Sequence, residues 1–135
     1  MVEPTGHRGA WFHMLIHYEF DIDKGAVLDY SWPSGELAPA EEKEIRNLAF
    51  PEMASNQVAT ERQTMTYCFR VRQEHGFSYG YTLYVKTRDA GSKRGWHQQS
   101  YVLLSELNLV SFYYKLLETI TKSVKIEEAF QSLWR

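Results

Sequence analysis

Residues 96–107, WHQQSYVLLSEL, end almost entirely apolar, and from Leu109 onward the apolar spacing lengthens from two to three and four. A strand apolar on both sides belongs in the middle of a sheet with something packed above and below it. That one stretch demands a layered protein, with strands to either side and helices over the faces.

The remaining periodicities supply those layers. In WFHMLIHYEF, Phe12, Met14, Ile16, Tyr18 and Phe20 alternate with Trp11, His13, Leu15, His17 and Glu19, the period of a half-buried strand whose even-numbered side chains face the core. DIDKG follows, with Asp23 and Gly25 suited to a tight turn, and AVLDYSW resumes the alternation with Ala26, Leu28 and Tyr30 on one side. These two runs form a hairpin. A helix begins at Pro39, where Glu41 and Glu42 complement its N-terminus and Ile45, Leu48 and Ala49 make its apolar stripe; Pro51 ends it. EMASNQVATERQ carries no periodic signal and reads as a mobile connection. TMTYCFRVR and SYGYTLYVKT are two further strands, the first with Met65, Tyr67, Phe69 and Val71 on one side, the second with Tyr79, Tyr81, Leu83 and Val85. Leu109, Phe112, Tyr113, Leu116, Leu117, Ile120 and Val124 then mark a core helix, and Ile126, Ala129, Phe130, Leu133 and Trp134 a second helical piece broken from it near Ser123. The expected fold is α/β of the α+β kind, a five-stranded, mostly antiparallel sheet flanked by helices in the order β-β-α-β-β-β-α(-α). Residues 1–10 read as a flexible N-terminal segment and 11–135 as a single domain.

Composition narrows the function. The formal net charge is −2, so no whole-molecule field draws a polyanion, and a nucleic-acid partner is not expected. One cysteine, Cys68, leaves no internal disulfide and no cysteine-based zinc site and suits a reducing compartment. No apolar run approaches the roughly 20 residues of a membrane span, and MVEPTGHRGA lacks the order of a signal peptide. The chain reads as cytoplasmic. Aromatic residues make up 15%, which suits both pleated strands and packed interfaces.

Catalytic signatures are weak. His13 and His17 stand four apart, but in a strand four positions separate their backbones by about 13 Å, too far for one zinc ion, so both are expected on the outward side of the strand, either at the surface or under another element. Cys68 lacks a visible base, and Glu41, Glu42 and Glu44 are explained by a solvated helix face. No catalytic residue, cofactor or metal site is expected. The segment KTRDAGSKRGW remains: Lys86, Arg88, Lys93 and Arg94 lie close to Trp96, and Gly91 and Gly95 suit a connection between antiparallel strands. Two roles are open for it. It is an exposed strand-to-strand connection, the reading that its small footprint and the offsetting Asp89 favour, or a nucleic-acid contact in which the cations meet the backbone and Trp96 stacks a base.

The same segment carries a resemblance. Tyr79-Gly80-Tyr81, then Arg88-Asp89, then Lys93-Arg94-Gly95-Trp96, then Gln98-x-Ser100-x-Val102-Leu103-Leu104-Ser105 resemble, in that order, the upstream (uDENN) longin module of DENN-domain proteins. Phe20-Asp21 with Gly25, Tyr30 with Pro33, Glu41-Glu42-Lys43, Ala49-Phe50-Pro51 and Phe69-Arg70-x-Arg72-Gln73 extend the match, so that it covers residues 11 to about 117. The chain is most similar to the polarity-axis-stabilising branch, which includes proteins acting on endosomal Rab GTPases. The resemblance implies a longin fold and a non-enzymatic module of a guanine-nucleotide exchange factor, in which this domain and a DENN lobe cradle a Rab. Arg88, Lys93, Arg94 and Trp96 then shape the turn or touch a partner, an acidic GTPase surface or an anionic membrane, and Phe130, Leu133 and Trp134 are expected either to close over the sheet or to dock the second lobe or a partner. The implied place is the cytoplasm, with recruitment through partners to endosomal or other vesicle membranes. An alternative is a stand-alone longin adaptor for another longin, a SNARE or an Arf-type GTPase. RQEHGFSYGY is shorter than the family's corresponding segment, and no catalytic residue is carried over.

Overall fold

The computed structural model of the chain describes residues 14–21, 23–32, 37–50, 62–73, 76–88 and 96–122. The expectations for residues 1–13, for the connection 51–61 and for the second helical piece from Ile126 to Trp134 lie outside the described residues. The elements are β1 (Met14–Asp21), β2 (Gly25–Trp32), α1 (Pro39–Leu48), β3 (Arg62–Gln73), β4 (Gly76–Arg88), β5 (Trp96–Ser105) and α2 (Val110–Ile120). The strands form one sheet in the order β2-β1-β5-β4-β3, and each neighbouring pair is antiparallel. This is the expected α+β fold.

Local chemistry sets the turns. Asp21 Oδ1 accepts the backbone N–H groups of Asp23 at 2.7 Å and Lys24 at 3.0 Å, and Gly25 takes φ +83°, a left-handed value that a side chain resists. The β3–β4 register closes on Gln73 opposite Gly76, so residues 74 and 75 alone make the connection.

β5 lies between β1 and β4, and Tyr101 to Ser105 are all buried, as a strand covered on both faces requires. Leu15, Tyr81, Leu83 and Leu103 pack against Tyr113 and Leu117 of α2 on one face. Ile16, Tyr18, Val71 and Leu104 pack against Ile45 of α1 on the other. Sheet hydroxyls finish α1: Ser100 donates to the Ala49 carbonyl at 2.7 Å and Tyr67 to that of Leu48 at 2.9 Å, which satisfies acceptors left open at a helix C-terminus. At the other end Pro39 opens the first turn and Glu42 pairs with Arg46 at 3.2 Å. Gly80 lies opposite Phe69, whose ring would stand 2.5 Å from any Cβ placed there.

Two expectations change and one is decided. β1 buries both of its faces, since Leu15 is as buried as Ile16, because a helix covers each side of the sheet. His17 is only 5% exposed on the α2 side, so of the two positions open to it the covered one is taken. β2 does not keep Ala26, Leu28 and Tyr30 together: Tyr30 pairs with His17 and Leu28 with Tyr18, which leaves Asp29 as the extra residue of a bulge. One inserted residue reverses the facing of everything beyond it.

Candidate protein-contact surface

The β4–β5 connection was the first candidate. Arg88 and Trp96 are register partners on the last rung of the ladder, so the strands do bring these two positions together. Arg88 is exposed, whereas Lys86, two residues earlier, is 3% exposed and sits on the α1 side between Gln63 and Gln98. Lys86 therefore drops out of any surface charge at this end. Lys93 and Arg94 lie outside the described residues, as do Phe130, Leu133 and Trp134, and for Trp96 only the backbone is described.

A second surface forms where β5 passes into α2. Ser105 Oγ accepts the Leu107 N–H at 3.0 Å and shares a hydrogen bond of 2.9 Å with the Tyr113 hydroxyl. The Tyr81 hydroxyl donates to the Leu107 carbonyl at 2.6 Å and accepts the Leu109 N–H at 3.3 Å. Tyr81 stacks on Tyr113 at 4.5 Å, and burial pushes its phenol up to about 12, so the hydroxyl stays protonated as that donor. These bonds pin the backbone of this stretch to the sheet and leave the side chains of 106–109 outward. Leu107 is 42%, Leu109 49%, Val110 39% and Phe112 50% exposed. Here sequence reasoning assigned Leu109 and Phe112 to the core stripe, but the buried stripe is Tyr113, Leu117 and Ile120. The signal was present: with Val110 added, apolar residues wrap too much of the first turn for one face to bury.

Phe77 extends this rim. It is 49% exposed at the start of β4, with the guanidinium carbons of Arg70 and Arg72 at 4.7 Å and 5.2 Å from its ring centre. Tyr79 pairs with Ser105 on the last rung of that ladder, so Phe77, two residues earlier, lies beyond the end of β5 on the face that Tyr79 shares with α2. The rim thus combines an apolar ridge with two exposed cations. It stands at the opposite end of the ten-residue β5 from Trp96, a separation of about 30 Å at strand rise.

The described residues offer little for catalysis. Burial pushes the Cys68 thiol up, away from the reactive thiolate. A cavity of about 210 Å³ lined by Thr64, Leu83, Glu118, Thr121 and Lys122 is below the roughly 300–1,000 Å³ of small-molecule sites. No helix among the described residues is long and apolar enough to cross a membrane.

No family model matches the chain. It is 28% identical over 123 residues to a Dictyostelium discoideum protein named Protein DENND6 homolog, covering 86% of this chain and 17% of that protein. It is 27% identical over 152 residues to mouse Protein DENND6A and 27% over 143 residues to mouse Protein DENND6B, in each case over 87% of this chain and 24% of the relative. These relatives are DENN-domain proteins. The chain spans a quarter or less of their length, and the similarity runs through most of its own.

Proposed function

We propose that this chain is the upstream longin-type module of a DENN-type regulator of Rab GTPases in membrane traffic, related to the polarity-axis-stabilising branch and acting by protein contact without catalysing exchange alone. The observation that carries the reading is a similarity to DENND6 proteins over 86–87% of the chain, joined to a β-β-α-β-β-β-α sheet with no reactive cluster around its one cysteine among the described residues. The rim of Leu107, Leu109, Val110 and Phe112, with Arg70 and Arg72 beside Phe77, is the surface it offers a partner. Arg88, Lys93, Arg94 and Trp96 are a second, cationic contact for an acidic GTPase face. Phe130, Leu133 and Trp134 dock a DENN lobe, and recruitment to endosomal or other vesicle membranes goes through the partners.

Release of labelled GDP from a panel of Rab and Arf GTPases tests this. The expected result is no acceleration by the chain alone and acceleration once a DENN lobe is added. Acceleration by the chain alone would overturn the non-catalytic role, and silence in both cases would move the reading to a stand-alone adaptor.

A further inference from the structure

His17 was set aside as a metal ligand because His13 stands too far along the same strand. The structure gives it different neighbours. Glu19 lies two residues on and faces the same side of the sheet, and Asp29, at the β2 bulge, lies against the ring. His17 Nδ1 and Asp29 Oδ2 are 2.8 Å apart, and one donor atom from each of His17, Glu19 and Asp29 falls within 4.8 Å of the others.

The other ring nitrogen decides what Nδ1 can be. His17 Nε2 lies 2.8 Å from Gln99 Oε1, which also accepts the Tyr101 hydroxyl at 3.2 Å. With Gln99 Oε1 as its acceptor, Nε2 carries a hydrogen and donates it, and that tautomer keeps a lone pair on Nδ1. A proton on Nδ1 makes the 2.8 Å contact with Asp29 Oδ2 an ordinary hydrogen bond, whereas a metal ion would take the same two atoms as neighbouring ligands, each about 2 Å away.

We propose that His17, Glu19 and Asp29 bind one zinc ion, with His17 Nδ1 and one oxygen from each carboxylate as ligands and water completing the set. Imidazole nitrogen with carboxylate oxygen is a donor set zinc accepts, and three protein ligands leave its fourth position open. The two carboxylates balance the ion's charge. Gln99 plays the part that an acceptor plays behind most metal-bound histidines, holding the far N–H and thereby the tautomer. The ring is already oriented, 5% exposed and stacked on Tyr101 at 4.5 Å, with Tyr30 at 5.2 Å. The Asp29 side chain is 49% exposed and Glu19 is half-buried, so the carboxylates leave a path from solvent to the ring. The bulge sets both Asp29 and Tyr30 against His17, one supplying a carboxylate at Nδ1 and the other a ring beside the imidazole.

The test is calorimetric titration of the intact chain with zinc, repeated with cobalt so that visible absorption reports the ligand field. The expected result is one saturable site per chain, a cobalt spectrum of low coordination number, and a melting temperature that rises with zinc. Asp29→Asn and Glu19→Gln are at accessible positions and keep the fold. Each is expected to weaken zinc by tenfold or more, and Gln99→Ala by about 10- to 100-fold. Zinc binding that ignores Asp29→Asn and Glu19→Gln would place the ion on other histidines and overturn the proposal. So would the lack of a saturable site up to millimolar zinc. Nitrogen NMR showing a proton on His17 Nδ1 both with and without zinc would leave that atom no lone pair for the ion and overturn it too.

Discussion

α1 and α2 cover opposite faces of one sheet, and they meet water differently. α1 turns Ala40, Lys43, Glu44 and Asn47 outward, leaves Leu48 of its expected apolar stripe 39% exposed in the last turn, caps its end with sheet hydroxyls and pairs Glu42 with Arg46. α2 turns Val110 and Phe112 outward, with Leu107 and Leu109 exposed just before it. The layers beneath differ as well. Under α1 the contacts are mainly aliphatic, whereas under α2 Tyr81, Tyr101 and Tyr113 contribute rings with polar tips. A helix with a polar outer face needs nothing further to cover it. A helix whose first turn and approach are apolar outside, pinned from inside by tyrosine and serine hydroxyls, leaves an ordered apolar surface exposed.

Breaking the cores should have the largest effect and should erase the contrast. Leu103→Ala beneath α2 and Ile45→Ala in α1 remove side chains with no exposure, and each is expected to lower stability by roughly 2–5 kcal/mol. Urea unfolding should show one transition moved to lower denaturant in both. Separate transitions for the two variants would mean that the layers fold independently. Gly80→Ala comes next: its Cβ meets the Phe69 ring, at a cost of about 1–3 kcal/mol. The loss should be smaller in a Phe69→Leu background, and equal losses would show that the ring is not the obstacle.

A pH titration tests both layers at once. Burial raises Tyr84 on the α1 side and Tyr81 on the α2 side to about 12, and raises Tyr18 further in the same direction. Below the unfolded value near 10 these phenols are protonated in both states and stability is level. Between pH 10 and 12 the unfolded chain loses protons that the folded chain keeps, so stability should fall over that window. A melting temperature constant to pH 12 would contradict this burial. The smallest effect on stability is expected at the rim. Leu109→Ser with Phe112→Ser should shift unfolding by no more than about 0.5 kcal/mol while weakening partner binding, and Lys43→Ala with Glu44→Ala on α1 should change neither. Loss of binding through the α1 pair would reverse the assignment of the contact face.

The parts legible in the sequence are those that depend on one element at a time. β5 reads as central because both of its faces are apolar, and α1 reads from Pro39, its acidic first turn and Ile45. What depended on neighbours was not legible. Local alternation carries no mark for the extra residue at Asp29, so Tyr30 was placed on the wrong face. His17 reads as a polar strand position until Asp29 and Gln99, 82 residues further on, supply its partners. Leu109 and Phe112 fit the helical period, and only the described packing shows that α2 buries a narrower stripe.

The sheet order also dictates when the chain can fold. β1 and β5, adjacent in the sheet, come from opposite ends of the described chain, with Leu15 opposite Leu103 and Ile16 opposite Val102. During synthesis the β1–β2 hairpin emerges first, apolar on both sides, and waits until β5 has cleared the ribosome before its inner edge is paired. Contacts of such long reach slow folding and leave sticky intermediates exposed. A nascent chain halted before β5 would thus hold a hairpin with no sheet to join and would be a natural client for a chaperone.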